Sequence, residues 1–164
     1  MAHAAARTAS TLRDLGLLAA RIVLGTIFIA HGWQKLTAWT IAGTTEAFAG
    51  MGVPMPQISA PFVAGLELIG GALLILGAAT PLVGLLLAGN MLVAALIAHL
   101  GSGVFVDGGG WELVGALGAG SLALAAVGAG RLSLDHAILG RRFTARRSRA
   151  ASASAAGSAA ASAA

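Results

Sequence analysis

The sequence predicts an all-α membrane protein, a transmembrane four-helix bundle. Three observations carry that expectation. The 164-residue chain is 57% hydrophobic but only 10% charged, where a soluble domain carries about 25% charged residues. Its mean hydropathy is +0.87, too apolar for a water-covered surface. Four apolar stretches of span length or nearly so are separated by turn residues.

Residues 1–14 are small and polar and carry Arg7 and Arg13. The first span runs over about 15–36. No small-x-small site closes it, and His31, Gly32 and Trp33 stand where a signal peptide would be cut, so it reads as an uncleaved helix. Residues 37–60 form the longest connection. Pro54 and Pro56 interrupt helix there, because proline lacks a backbone donor and restricts the residue before it. A short interfacial helix around Glu46 and Phe48 fits the same connection. The second span is expected at 61–79, a turn at Gly77–Pro81, the third span at 82–100, a glycine-rich connection at 101–110 and the fourth span at 111–127. A basic juxtamembrane segment follows at 137–149. The Ala/Ser tail at 150–164 has little apolar bulk to bury and reads as disordered.

Charge placement orients the bundle. Arg7 and Arg13 precede the first span, and Arg131 with the 141–149 arginines follows the fourth, while the two long connections hold only Lys35 at one edge. The positive-inside rule then places both termini in the cytoplasm, N-in and C-in, and the nine-to-one excess of Arg over Lys with abundant Ala and Gly suggests a GC-rich bacterial genome, hence a bacterial plasma membrane. Trp33, Trp39 and Trp111 fall at the outer boundary, where indole rings prefer to sit.

The net charge of +4 does not point to nucleic acid, since the arginines cluster beside an apolar segment and aromatic content is only 5%. The absence of cysteine excludes disulfides, thiolate metal sites and a thiol relay within the chain. Small residues recur four apart, as in Gly84 with Ala88 and Ala116 with Gly120, which lets helix backbones approach closely in lipid. Self-association is left open.

Polar groups at membrane depth cost about 2.5–3.5 kcal/mol each, so each needs a reason. His31 and Lys35 share a helix face at the outer end of the first span, with Gln34 adjacent. Glu67 lies one to two turns into the second span, His99 closes the third and Glu112 opens the fourth. Asn90 is near the middle of the third. The convergence of His31, Lys35, Glu67, His99 and Glu112 in one leaflet supports two readings: a ligand or redox-linked proton site, or a network that locks the bundle. Their spacing fits no compact metal motif. Arg21 reads either as an inner anchor whose stem reaches the headgroups, or as the partner of an acidic group or anionic ligand. No nucleotide fingerprint is present.

Several segments resemble the DoxX/DoxD-like membrane proteins. They are Ala20–Gly25 through His31–Leu36, Phe48 with Met51–Pro54, Gly65–Gly71 with Leu76–Gly77, and Gly130-Arg131-Leu132-Ser133-Leu134-Asp135. The resemblance covers about residues 15–136. Pro81 departs from it, standing where the family often carries a basic residue, which leaves the topology argument on the termini. The resemblance implies a four-helix membrane bundle tied to sulfur and thiol redox systems. DoxD-like members are subunits of a thiosulfate:quinone oxidoreductase, and some DoxX members join superoxide dismutase and a sulfurtransferase in one complex. It thus implies a quinone as ligand and soluble redox or sulfur-transfer proteins as partners, with no cofactor held within the chain. The sequence leaves three roles in view: a quinone-linked redox subunit, a non-catalytic scaffold docking soluble partners, and a small-solute or lipid transporter.

Overall fold

The computed structural model describes residues 2–138. The expected basic segment lies outside the described residues from 139 on, and so does the whole Ala/Ser tail. Among the described residues the structure is helical throughout its regular parts. The helices are α1 (Ala2–Thr37), α2 (Thr40–Gly50), α3 (Pro56–Leu76), α4 (Thr80–Ala94) and α5 (Glu112–Val127). A π-helical segment, Ala95–His99, and a 3-10 turn, Leu100–Ser102, prolong α4.

Three helices are long and apolar enough to cross a membrane: Thr8–Thr37, Pro56–Leu76 and Thr80–Ser102. The fourth, α5, is apolar but has 16 residues, about 24 Å of helix against a hydrocarbon core of about 30 Å. Two element bounds differ from the sequence expectation. Helix α1 reaches back to Ala2 instead of starting near residue 15, because its first turns are alanine-rich and hold neither proline nor glycine. Helix α3 begins five residues earlier than expected. Pro56 occupies its first turn, where a missing N–H costs nothing, and Pro61 is tolerated inside the helix. The first long connection contains α2, an 11-residue helix carrying Glu46 and Phe48.

The bundle is built as two tightly packed pairs. Helix α1 lies on α3 at glycine contacts: a Cβ added at Gly25 would come within 2.5 Å of the Gly71 carbonyl oxygen. Helix α4 lies on α5 in the same manner, with a Cβ at Gly84 reaching 2.7 Å from the Ser121 carbonyl oxygen. Such approach exchanges side-chain volume for backbone contact, the main attractive term between helices in lipid. Phe28, Leu74, Leu87, Met91 and Leu117 fill the space between the pairs. Large apolar side chains such as Val23, Ile69, Leu85 and Leu96 remain exposed around the perimeter. In water that surface would be an aggregation hazard; in a bilayer it is the lipid contact.

Candidate functional site

The polar residues gather at two opposite ends of the bundle. The loop end holds α2 and the 101–110 connection. The hairpin end holds the α3–α4 turn and the segment after α5.

At the loop end, Lys35 and Glu67 form an ion pair of 2.5 Å, with their side chains 11% and 4% exposed. The close α1–α3 contact at Gly32, where a Cβ would meet Leu68 and Ala64 backbone atoms, brings the two side chains within reach. The amide of Asn90 on α4 donates to the other Glu67 oxygen at 3.3 Å. The Lys35 ammonium also lies 6.0 Å from the Trp39 ring centroid, the outer limit of a cation–π contact. A buried pair of this kind needs good geometry and further hydrogen bonds to offset desolvation, and the second Glu67 oxygen has one in Asn90.

These groups face a cavity of about 540 Å³. Its polar lining includes His31, Lys35, Glu67, Asn90 and His99, among apolar neighbours such as Phe28, Met91 and Leu117. Val93, Ile97 and Leu113 also line it and are themselves exposed on the perimeter, so the cavity communicates with the apolar surface. The volume and the few convergent polar groups are those of a small-molecule pocket. The π-helical segment forms one wall. Single π turns inside α-helices recur at functional sites. Here the irregular turn ends on His99, whose Nδ1 lies 2.7 Å from the Gly109 carbonyl oxygen.

The structure therefore brings together His31, Lys35, Glu67, Asn90 and His99. It does not bring in the remaining candidates. Glu112 lies outside the lining and accepts the Val106 N–H at 2.6 Å, bracing the 101–110 connection. Gln34 is half-buried and outside the lining as well. Sequence reasoning missed Phe28 and Met91 as cavity walls. The signal for Phe28 was available, since it stands three residues before His31 and seven before Lys35, on one helix face. It also missed Thr44, a buried residue of α2 whose hydroxyl donates to the Lys35 carbonyl at 3.3 Å. Among the described residues no cluster of ligating side chains could hold a metal ion.

At the hairpin end, Arg21 is fully buried. Its Nη2 donates to the Leu132 carbonyl at 2.5 Å. Of the two sequence readings of Arg21, this burial against Gly77 and Ser133 favours a charge partnered by protein over an anchor exposed to the headgroups. Asp135 accepts the Ala79 and Thr80 N–H groups at 2.7 and 2.9 Å, satisfying free donors at the start of α4. Its own N–H donates to the Gly77 carbonyl at 2.9 Å. Asp14, which the sequence did not single out, accepts the Arg131 N–H at 3.0 Å. The Gly130–Asp135 run is thereby stitched onto α1 and the α3–α4 turn.

A family model described as DoxX matches residues 16–100. The chain is 35% identical over 124 residues to inner membrane protein YqjF of Escherichia coli (strain K12), covering 76% of this chain and 92% of that protein. It is 33% identical over 129 residues to inner membrane protein YphA of the same organism, covering 75% and 90%. "Putative oxidoreductase CatD" of Bacillus subtilis (strain 168) is 36% identical over 87 residues, covering 53% of this chain and 62% of that protein. No solved structure matches.

Proposed function

The chain belongs to the DoxX family of membrane proteins, and from that premise we propose that it is the membrane subunit of a quinone-linked sulfur or thiol redox complex. The observation that carries this reading is the loop-end cavity. It joins an apolar body, open to the perimeter, to a buried Lys35–Glu67 pair flanked by Asn90 and two histidines. A quinone headgroup has that same division, an apolar ring and tail with two carbonyl acceptors. A relative named as an oxidoreductase points the same way.

In this role Lys35 or His31 donates a hydrogen bond to one quinone carbonyl and Glu67 passes a proton to the reduced oxygen. Full reduction takes two electrons and two protons. The chain has no cysteine, so the two electrons come from two thiols on a soluble redox or sulfur-transfer partner as they join in a disulfide, and the two protons that they release to water balance the two that the quinone oxygens take up through Glu67. The bundle crosses the bacterial inner membrane four times with both termini cytoplasmic, α5 being the short fourth span. The arginine placement and the even number of crossings support that orientation.

Equilibrium binding of a short-chain quinone to the purified protein tests the proposal. Wild-type protein is expected to bind, and Glu67→Gln to bind at least about tenfold more weakly, because the neutral amide no longer holds the Lys35 ammonium in place to donate to the quinone carbonyl. His31→Ala, which breaks no ion pair, serves as a second variant with the same direction. Equal binding in all three, or none in any, removes the mechanism.

One observation favours a second reading, a non-catalytic scaffold. Both Glu67 oxygens are already engaged, by Lys35 and Asn90, as a purely structural lock requires. Under that reading Glu67→Gln lowers stability and leaves partner co-purification to the arginine-rich end.

A further inference from the structure

The hairpin end carries a second cavity, of about 470 Å³, that the quinone reading does not use. Its walls include Ser10, Arg13, Asp14, Arg131, Asp135 and His136. Its carboxylates are already engaged. Asp135 accepts two backbone N–H groups, and Asp14 accepts the Arg131 N–H. The cationic side chains are freer. Arg13 and His136 are exposed, and the Arg131 side chain, 69% exposed, makes a long ion pair from Nε to Asp14 at 3.9 Å. In the same cap the buried Arg21 keeps Nε and Nη1 without a hydrogen-bond partner among the described residues. Two guanidinium groups and a histidine thus line the cavity beside two carboxylates that backbone N–H groups already occupy. The open capacity of the cavity is for a group that accepts hydrogen bonds and carries negative charge.

Depth narrows the choice. The span Thr8–Thr37 has 30 residues, about 45 Å of helix, and overshoots a hydrocarbon core of about 30 Å by some 15 Å. Trp33 and Trp39, both exposed, fix the interface at the loop end. The overshoot therefore falls at the other end, where Ser10 and Arg13 sit, and places the cavity in the headgroup layer. The sequence continues into five further arginines, at 141, 142, 146, 147 and 149, which suits an anionic membrane face.

We propose that this cavity binds the phosphate of an anionic phospholipid headgroup, of the phosphatidylglycerol class, through Arg13 and Arg131. The site is separate from the loop-end cavity and stands whether or not a quinone binds there.

The test is a titration of the full-length protein in mixed micelles with phosphatidylglycerol, read as the shift of its thermal unfolding midpoint. Phosphatidylcholine and soluble glycerol 1-phosphate are run in parallel. Two full-length variants separate the pocket from the tail: Arg13→Gln with Arg131→Gln, and glutamine at all five arginines of 141–149. Both pocket arginines are exposed, so their removal leaves the fold intact, and Arg13→Gln alone provides a milder third variant. The pocket variant is expected to bind phosphatidylglycerol on the order of thirtyfold more weakly, from about two basic contacts at the membrane surface. Arg13→Gln is expected to weaken it by about fivefold, and the tail variant to stay within a few-fold of wild type. Wild-type affinity in the pocket variant overturns the proposal. So does a loss that follows the tail, equal binding of phosphatidylcholine, or glycerol 1-phosphate binding as tightly as the lipid.

Discussion

The two ends of the bundle use one helix stripe for opposite purposes. Arg21, Phe28 and Lys35 are spaced seven apart on α1, and all three are buried. Phe28 packs the core between them. At the hairpin end the Arg21 charge meets backbone: the Leu132 carbonyl, with Asp135 and Asp14 fastening the neighbouring chain through N–H groups. At the loop end the Lys35 charge meets side chains, Glu67 and through it Asn90, beside an open cavity. Polar groups that satisfy backbone hold the fold. Polar groups that satisfy each other at a cavity wall can exchange partners with a ligand. The kind of partner therefore separates the two ends better than residue type or burial does.

Four measurements can break or sharpen this contrast. The largest effect is expected from Asp135→Ala at the hairpin end. It removes the carboxylate to which two backbone N–H groups now donate, a loss of about 3–6 kcal/mol at about 1.5–3 kcal/mol each. The thermal unfolding midpoint in detergent reads it, and quinone binding by the protein that remains folded is expected to be unchanged. A midpoint equal to wild type would show that Asp135 does not fasten the α3–α4 turn.

At the loop end, Glu67→Leu alone leaves the Lys35 ammonium buried and unpaired, at a cost of about 3 kcal/mol. Adding Lys35→Met is expected to restore stability to within about 1 kcal/mol of wild type, since apolar replacement of a buried pair is often neutral. Quinone binding is expected to stay lost in the double variant. A double variant as unstable as the single one would move this pair into the same structural class as the hairpin end.

A gain of about 1 kcal/mol is expected from Ala79→Gly. Ala79 sits at φ 49°, the left-handed region, where a Cβ costs about 1–2 kcal/mol. Glycine keeps the N–H that Asp135 accepts, so a higher unfolding midpoint is the result to look for. The smallest effect belongs to Asn90→Ala, which removes a single 3.3 Å bond and about 0.5–1 kcal/mol of stability. A change in quinone affinity larger than that stability change would mark Asn90 as part of the binding wall.

Much of the loop-end site was legible in the sequence. The spacing of His31 and Lys35 fixes a common face, and Glu67 and His99, expected at the same depth, line the same cavity. Glu112 stands outside that lining for an intelligible reason. Depth placed it with the others, but its side chain turns to the Val106 N–H of its own connection, a local bond that no periodicity reports. Arg21 was left between an anchor and a partnered charge, because a one-helix argument gives its reach to the headgroups but not its neighbours. Its inward turn depends on Gly77, which leaves room for the guanidinium, and on a carbonyl 111 residues away.

Composition and period alone determined that hydrocarbon solvates this chain, that it forms apolar helices with a short helix between the first two, and that glycines set their contacts. Those properties are local: hydropathy, helix period and proline or glycine breaks act within a few turns of sequence. Only the tertiary structure decided which polar groups share a cavity, and that the bundle is two close pairs, α1 with α3 and α4 with α5. It also decided that the Gly130–Asp135 run locks the hairpin end. Those outcomes depend on the rotation of each helix against its neighbours. Contacts across four helices set that rotation together, and no single helix carries the information.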